Sequence, residues 1–132
     1  MILLDTHAWL WWTNRPEVLP KRILAFINGA ALDAQLAVSA ISVWEIATKY
    51  ALGKLPLAMP PREWVARASR TPGLAILPLT PDVALESAEL PPPFHRDPAD
   101  RLIVALARCR RATLVTADRK ILRYPHVKAL WG

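Results

Sequence analysis

A mainly parallel sheet of four to five short strands, layered between helices, is the α/β architecture that the sequence predicts, and three features predict it. Apolar runs of about four residues alternate with segments of helical periodicity along the whole chain, which is the pattern of βαβ units. Those runs are apolar at nearly every position, as strands covered on both faces require. The 13 prolines fall mostly between these segments, as in Pro60-Pro61 and Pro91-Pro92-Pro93. They therefore punctuate the elements of a single domain, residues 1–132, and mark no linker. Right-handed crossovers then leave only a few topologies.

Met1 to Leu4 is short and apolar enough for a buried strand and is closed by Asp5. Thr6 to Trp12 has helical character. Pro20 to Ala34 places Ile23, Leu24, Phe26, Ile27 and Ala31 at helical spacing, with Pro20 suited to a first turn. Leu36 to Ser39 reads as a second buried strand. The next helix has Ser42 as its N-cap and Glu45 three residues later as the capping-box partner, and it runs to Leu52 before Gly53. Pro61 to Ser69 is a helix closed by Thr71-Pro72-Gly73. Ala75 to Leu79 is a third strand, and Thr80-Pro81-Asp82 opens a helix lasting to Leu90. Pro98 to Arg110 is the strongest helical segment. Thr113 to Thr116 makes a fourth strand, Asp118 to Leu122 a short helix, and Val127 to Leu130 a last strand.

A hydrophobic content of 53% over 132 residues supports a real core. A chain of this length buries roughly two-thirds of its unfolded surface, so it needs neither disulfide nor structural metal to fold. The single cysteine, Cys109, excludes an internal disulfide and fits a reducing compartment. Met1-Ile2-Leu3-Leu4-Asp5 lacks the basic start of a secretory signal, and no apolar run approaches the ~20 residues of a membrane span. The expectation is a soluble cytoplasmic protein. A net charge of +6 and a pI near 10.1 make a polyanion such as nucleic acid a candidate partner. Four glycines in all, with neither a Walker loop nor a dinucleotide fingerprint, disfavour a nucleotide cradle.

Against so basic a background, the placement of four of the 11 acidic residues stands out. Asp5 closes the first strand, Glu45 lies in the first turn after the second, Asp118 follows the fourth, and Asp100 lies in the first turn of the strongest helix. The carboxyl ends of the strands of an open α/β sheet form one rim, where ligands bind. Each acid also has a structural reading. Asp5 and Asp118 can cap helices, Glu45 can pair with Ser42 or with Lys49, and Asp97 makes a good N-cap with Pro98 next, leaving Asp100 at a position the helix dipole favours. Four acids on one rim would repel one another, which a bound cation would relieve. Clustered carboxylates suit Mg²⁺ or Mn²⁺, and the absence of His/Cys pairs at zinc spacing disfavours zinc. Such an ion beside a basic surface points to phosphodiester chemistry. Of the three histidines, His95 is the one expected near the site.

Four stretches together resemble the PIN-domain ribonucleases, in particular the VapC-type toxins of type II toxin–antitoxin modules. They are Leu4-Asp5-Thr6-His7-Ala8-Trp9-Leu10-Trp11-Trp12, Ser39-Ala40-Ile41-Ser42-Val43-Trp44-Glu45-Ile46-Ala47, His95-Arg96-Asp97-Pro98-Ala99-Asp100-Arg101-Leu102-Ile103 and Leu114-Val115-Thr116-Ala117-Asp118. The second continues through Lys49 and Leu52-Gly53-Lys54-Leu55. The resemblance implies a PIN-like α/β/α sandwich and a metal-dependent endoribonuclease that cuts cellular RNA, tRNA or rRNA. Under it, Asp5, Glu45, Asp100 and Asp118 match metal-binding acids, Thr116 matches a supporting polar residue, and Asp97 starts its helix, with Thr6 beside Asp5. It also implies a homodimer and a VapB-like antitoxin seated in a groove near the acids. The alternatives are a housekeeping PIN nuclease of RNA processing and a catalytically silent RNA- or protein-binding PIN module.

Lys49, His95, Arg96, Arg101 and Arg119 are the expected RNA contacts on the rim. Arg108, Arg110 and Arg111 are read as cations complementing the C-terminal end of their helix. Among the six tryptophans, Trp9 and Trp44 are expected in the core, while Trp11, Trp12 and Trp64 are candidates for lining the antitoxin groove.

Overall fold

The computed structural model describes residues 1–132. Five strands, β1 (Ile2–Leu4), β2 (Leu36–Ser39), β3 (Leu74–Leu77), β4 (Thr113–Val115) and β5 (Ala129–Leu130), form one sheet in the order β3-β2-β1-β4-β5. All four pairings are parallel. The connecting helices are α1 (Thr6–Asn14), α2 (Lys21–Leu32), α3 (Ala40–Ala51), α4 (Pro61–Ala68), α5 (Pro81–Ala88), α6 (Pro98–Arg110) and α7 (Arg119–Leu122), with one 3₁₀ turn at Pro16–Val18. None is long and apolar enough to cross a membrane.

Alternation along the strands splits the core into two layers. Leu4, Leu36, Val38 and Val115 face one side, against Trp9, Ile23, Ile27, Ile46 and Trp64 from α1 to α4. Leu3, Ala37 and Leu114 face the other, against Val83, Ile103, Val104 and Ile121 from α5 to α7. In α6 all five residues from Ile103 to Ala107 are buried. Each large aliphatic side chain so buried contributes about 1.5–3 kcal/mol, so this helix is held firmly against the sheet.

The expected strand and helix order is the observed one, with four corrections of detail. First, β2 runs into α3 with no loop between them. Ser39 is the N-cap, its Oγ accepting from the Ile41 amide at 3.0 Å. Ser42 therefore lies inside α3, fully buried, and Glu45 sits in the second turn instead of closing a capping box. The other end of α3 matches expectation, because Gly53 adopts φ 70° and the Lys54 amide reaches back to the Lys49 carbonyl at 2.8 Å.

Second, β3 begins at Leu74 and ends at Leu77. Pro78 has no N–H to extend the ladder, which stops the strand short of Leu79. Gly73, at φ 83°, starts the strand early, and a Cβ there would lie 1.8 Å from the Ala31 carbonyl oxygen. Third, β5 is only Ala129–Leu130, the two residues that pair with Leu114 and Val115 of β4, and the chain before it is held by the Arg108 guanidinium donating to the His126 carbonyl. Fourth, two tryptophans exchange roles. Trp44 is 56% exposed, while Trp64 is buried edge-on against Trp9 and donates to Asn14 Oδ1 at 2.9 Å.

Candidate functional site

In the order β3-β2-β1-β4-β5 the chain winds outward in one direction from β1 to β3 and in the other from β4 to β5. The carboxyl ends of β1 and β4 therefore form the topological switch point, where a doubly wound sheet leaves a crevice. A cavity of about 460 Å³ opens there, lined by Asp5, Thr6, His7, Trp11, Glu45, Lys49, Asp97, Asp100, Ile103, Ala117 and Asp118. All four rim acids, and Asp97 with them, face this one space.

Asp5 sits at the end of β1 as the N-cap of α1, and one carboxylate oxygen accepts from the Ala8 amide at 2.8 Å. Its other oxygen accepts from the Thr116 hydroxyl at the end of β4. Thr116 Oγ1 in turn accepts from the Asp118 amide at 3.0 Å. Thr116, fully buried, thus ties the acid of one strand to the chain that carries the acid of the next. Burial pushes the Asp5 carboxyl above its ordinary range, outweighing the Thr116 and Ala8 hydrogen bonds that favour the charge.

Glu45 reaches the cavity from the second turn of α3. Thr6 Oγ1 lies 2.6 Å from Glu45 Oε1 and 2.9 Å from Ser42 Oγ. A hydroxyl has one proton, and a carboxylate can only accept, so Thr6 donates to Glu45 and the Ser42 hydroxyl donates to Thr6. The other face of the carboxylate, Oε2, meets Lys49 Nζ at 3.0 Å, one helical turn on. Glu45 is therefore held from both sides.

Asp97 caps α6 by accepting from the Asp100 amide at 3.2 Å, and Pro98 occupies the first helical position. Asp100 projects from that first turn. Burial first, and then the charges of Asp97, Asp118, Glu45 and Asp5, push its carboxyl up to about 7. That list of neighbours is the clearest sign that the acids are crowded together. Asp118 caps α7 by accepting from the Lys120 amide at 2.8 Å and presents its remaining oxygen toward the same space.

The expected cations divide. Lys49 lines the cavity. Arg96 and Arg119 are exposed beside it without lining it. Arg101 turns away from the rim, donating to the Ser87 carbonyl at 3.1 Å and the His95 carbonyl at 3.3 Å, so its role is to hold the loop before α6. Arg108, expected to complement the helix end, instead pairs with Glu86 at 2.7 Å. His95 stands at the edge of the acid cluster, its Nε2 3.3 Å from Asp100 Oδ2.

His7 is a lining residue that the sequence reading passed over. Its signal was position: it lies two residues past the first acid, in the first turn of the helix leaving the rim. Trp11, one turn later, packs tilted beside it, ring centroids 5.7 Å apart, and lines the same cavity.

Residues 2–127 match the model of the PIN domain. Over 98% of its length, and 98% of the relative's, the chain is 36% identical to Ribonuclease VapC22 of Mycobacterium tuberculosis. Among solved structures it is similar to a chain of the Rickettsia felis VapBC2 complex bound to a promoter DNA fragment, with a TM-score of 0.69 and 22% identity covering all of both chains. It is similar also to a chain of FitAcB from Neisseria gonorrhoeae, with a TM-score of 0.68 and 25% identity over 98% of this chain and 96% of that one. A five-stranded parallel sheet with carboxylates at its switch point, matched by a domain model over nearly its whole length, places the chain in the PIN-domain family, where it is similar to the VapC ribonucleases.

Proposed function

We propose that this protein is a Mg²⁺- or Mn²⁺-dependent endoribonuclease, the toxin of a type II toxin–antitoxin module, acting in the cytoplasm on tRNA or rRNA as a homodimer restrained by a VapB-like antitoxin. The observation that carries the proposal is the crowd of carboxylates around one cavity at the switch point, Asp5, Glu45, Asp97, Asp100 and Asp118, with Lys49 as the single lining cation. The resemblance to a VapC ribonuclease and to chains from VapBC complexes supports the nuclease and the antitoxin.

The donor set fits a hard divalent cation. It is predominantly carboxylate oxygen, and Asp100 is held near 7 by burial and by like charges that an ion would offset. Asp5, Glu45, Asp100 and Asp118 would hold the ion, with Thr116 and Thr6 orienting Asp5 and Glu45 behind them. When bound, a divalent ion lowers the pKa of water and offsets charge on phosphate oxygens. The chain's own contribution is positional. Thr116 fixes Asp5, Lys49 and Thr6 fix Glu45, and the buried stretch of α6 keeps Asp100 from drifting. Arg96 and Arg119 flank the cavity as exposed cations for an RNA backbone, and Lys49 offers a third from inside it.

The decisive assay uses protein freed of any partner, with Mg²⁺ or Mn²⁺, on pooled tRNA and rRNA. Wild type is expected to cleave, and Asp5→Asn to lose cleavage while staying folded. Equal rates for the two proteins would overturn the enzymatic reading.

A further inference from the structure

His95 Nε2 is buried yet has no hydrogen-bond partner, although its residue sits in a loop at the edge of a polar cavity. A buried polar atom without a partner carries a desolvation cost, so its position asks for an explanation. The atom approaches Asp100 Oδ2 to 3.3 Å without meeting it in hydrogen-bonding alignment. Together with Asp100 and Asp118 it forms a set of three donor atoms lying within 4.8 Å of one another. Two ligands on opposite sides of one ion at about 2.2 Å lie about 4.4 Å apart, so a side-chain adjustment of a few tenths of an ångström lets one ion meet all three.

The imidazole is also placed with care. Arg101 Nη1 donates to the His95 carbonyl at 3.3 Å, anchoring the loop to α6, and the guanidinium is itself tied to the Ser87 carbonyl of α5. Phe94 packs against the His95 ring at 4.4 Å and against Tyr124 at 4.5 Å. Tyr124 in turn donates to the Pro91 carbonyl at 2.6 Å. Backbone and ring are therefore held from independent directions, which limits how far Nε2 can move from the two acids.

We propose that His95 Nε2 is a metal ligand alongside Asp100 and Asp118, and that this nitrogen donor biases the site toward Mn²⁺ over Mg²⁺. The inference deepens the metal-dependent reading above and rests on it. The chemistry is that of ligand preference: Mg²⁺ binds oxygen donors almost exclusively, whereas a first-row transition ion gains from imidazole.

The test is pulsed electron paramagnetic resonance of Mn²⁺ on the full-length protein freed of any partner, with competition titrations of Mn²⁺ against Mg²⁺. Wild type should show ¹⁴N coupling from a bound imidazole. His95→Gln should lose it and lower Mn²⁺ affinity by about tenfold or more, since even outer-shell partners of a ligand are worth roughly that, while Mg²⁺ affinity falls less, so the preference for Mn²⁺ narrows. His7→Gln, which alters the histidine that lines the cavity, should keep the coupling. Bound Mn²⁺ without nitrogen coupling in wild type, or coupling that survives His95→Gln, overturns the assignment while leaving the acid site standing. Failure of wild type to bind Mn²⁺ at millimolar concentration overturns both. If His95→Gln does not fold, coupling that persists in His7→Gln still assigns it to His95, since the third histidine, His126, lines a different cavity.

Discussion

Thr116 is a neutral residue on which two of the acids depend. Its hydroxyl donates to Asp5 and accepts from the Asp118 amide, so it uses both of its hydrogen-bonding capacities inside a fully buried site. Thr116→Val keeps the shape and removes both bonds. It is expected to lower stability by about 1–3 kcal/mol in urea unfolding, because a buried carboxylate oxygen and a half-buried amide lose their partner. Cleavage should fall with it, and Thr116→Ser should restore most of both. Asp100 gives a second prediction at this scale. Its folded pKa, pushed up to about 7 by burial and by Asp97, Asp118, Glu45 and Asp5, stands above the unfolded 3.8. The folded chain therefore holds a proton that the unfolded chain releases, so this contribution to stability is fully present below the unfolded value and is lost as pH rises through the folded one. Asp5, also raised by burial, acts in the same direction. The Tm of chelator-treated protein should fall as pH is raised from about 5 to about 8, and Asp100→Asn should flatten that slope. The four rim acids were legible singly in the sequence because each sits at a strand-to-helix junction. Trp44 and Trp64 were not, because bulk and apolarity do not say which side of a helix a residue occupies. In α3 the buried pair is Ser42 and Ile46, four apart, and Trp44 falls between them on the outer face. In α4 the buried pair is Trp64 and Ala68.

At the scale of the element, α6 combines two tasks that the sequence allowed to be told apart only in part. Asp97 was expected to start the helix and Asp100 to face the rim. Asp97 does cap it, yet it also lines the cavity and is the neighbouring charge that raises Asp100 most. The two roles separate by substitution. Asp97→Asn should keep the helix intact, because asparagine caps as well as aspartate, while Asp97→Ala should cost about 1 kcal/mol in stability. Both changes remove the charge, so both should bring the Asp100 carboxyl down toward its ordinary range, measurable by NMR titration of metal-free protein. A carboxyl unmoved in Asp97→Asn would show that burial and the other three carboxylates set it without Asp97. The start of α3 shows the limit of reading elements from caps. Ser39 and Ser42 are both competent N-caps, three residues apart, and local chemistry cannot choose between them. The choice is tertiary: β2 must extend to Ser39 to pair with Leu77 of β3, and the chain turns into helix at the next residue. That shift moves Ser42 inward to Thr6 and lets Glu45 reach the rim from the second turn, a hydroxyl relay that no spacing rule announced.

At the scale of the whole molecule, the alternation of strands and helices was written in the apolar pattern, but the strand order was not. The sequence offers short runs and right-handed crossovers. It does not say that β1 is central and flanked by β2 and β4, because that depends on which layers pack best once the chain has collapsed. This order is what brings Asp5 of β1 next to Thr116 of β4, and so it converts four separate junctions into one cavity. The same arrangement explains how a chain of net charge +6 can carry an acidic pocket. The acids converge at the switch point, whereas Arg96, Arg119 and Lys120 stay exposed around it. An RNA backbone approaching the site would meet these cations first, and each phosphate contact releases condensed counterions. Binding should therefore weaken linearly in log–log form with salt, with a slope of about −0.7 per contacted phosphate for a single strand. Fluorescence anisotropy with the Asp100→Asn protein measures this without cleavage. Arg119→Ala in that background is expected to lower affinity for unrelated oligonucleotides alike and to make the slope shallower by about 0.7, one contact's worth. Arg101→Met should leave the slope unchanged, since that guanidinium is spent on the Ser87 and His95 carbonyls. A slope unaltered by Arg119→Ala would move the RNA path to the opposite side of the cavity, toward Lys49 and α3.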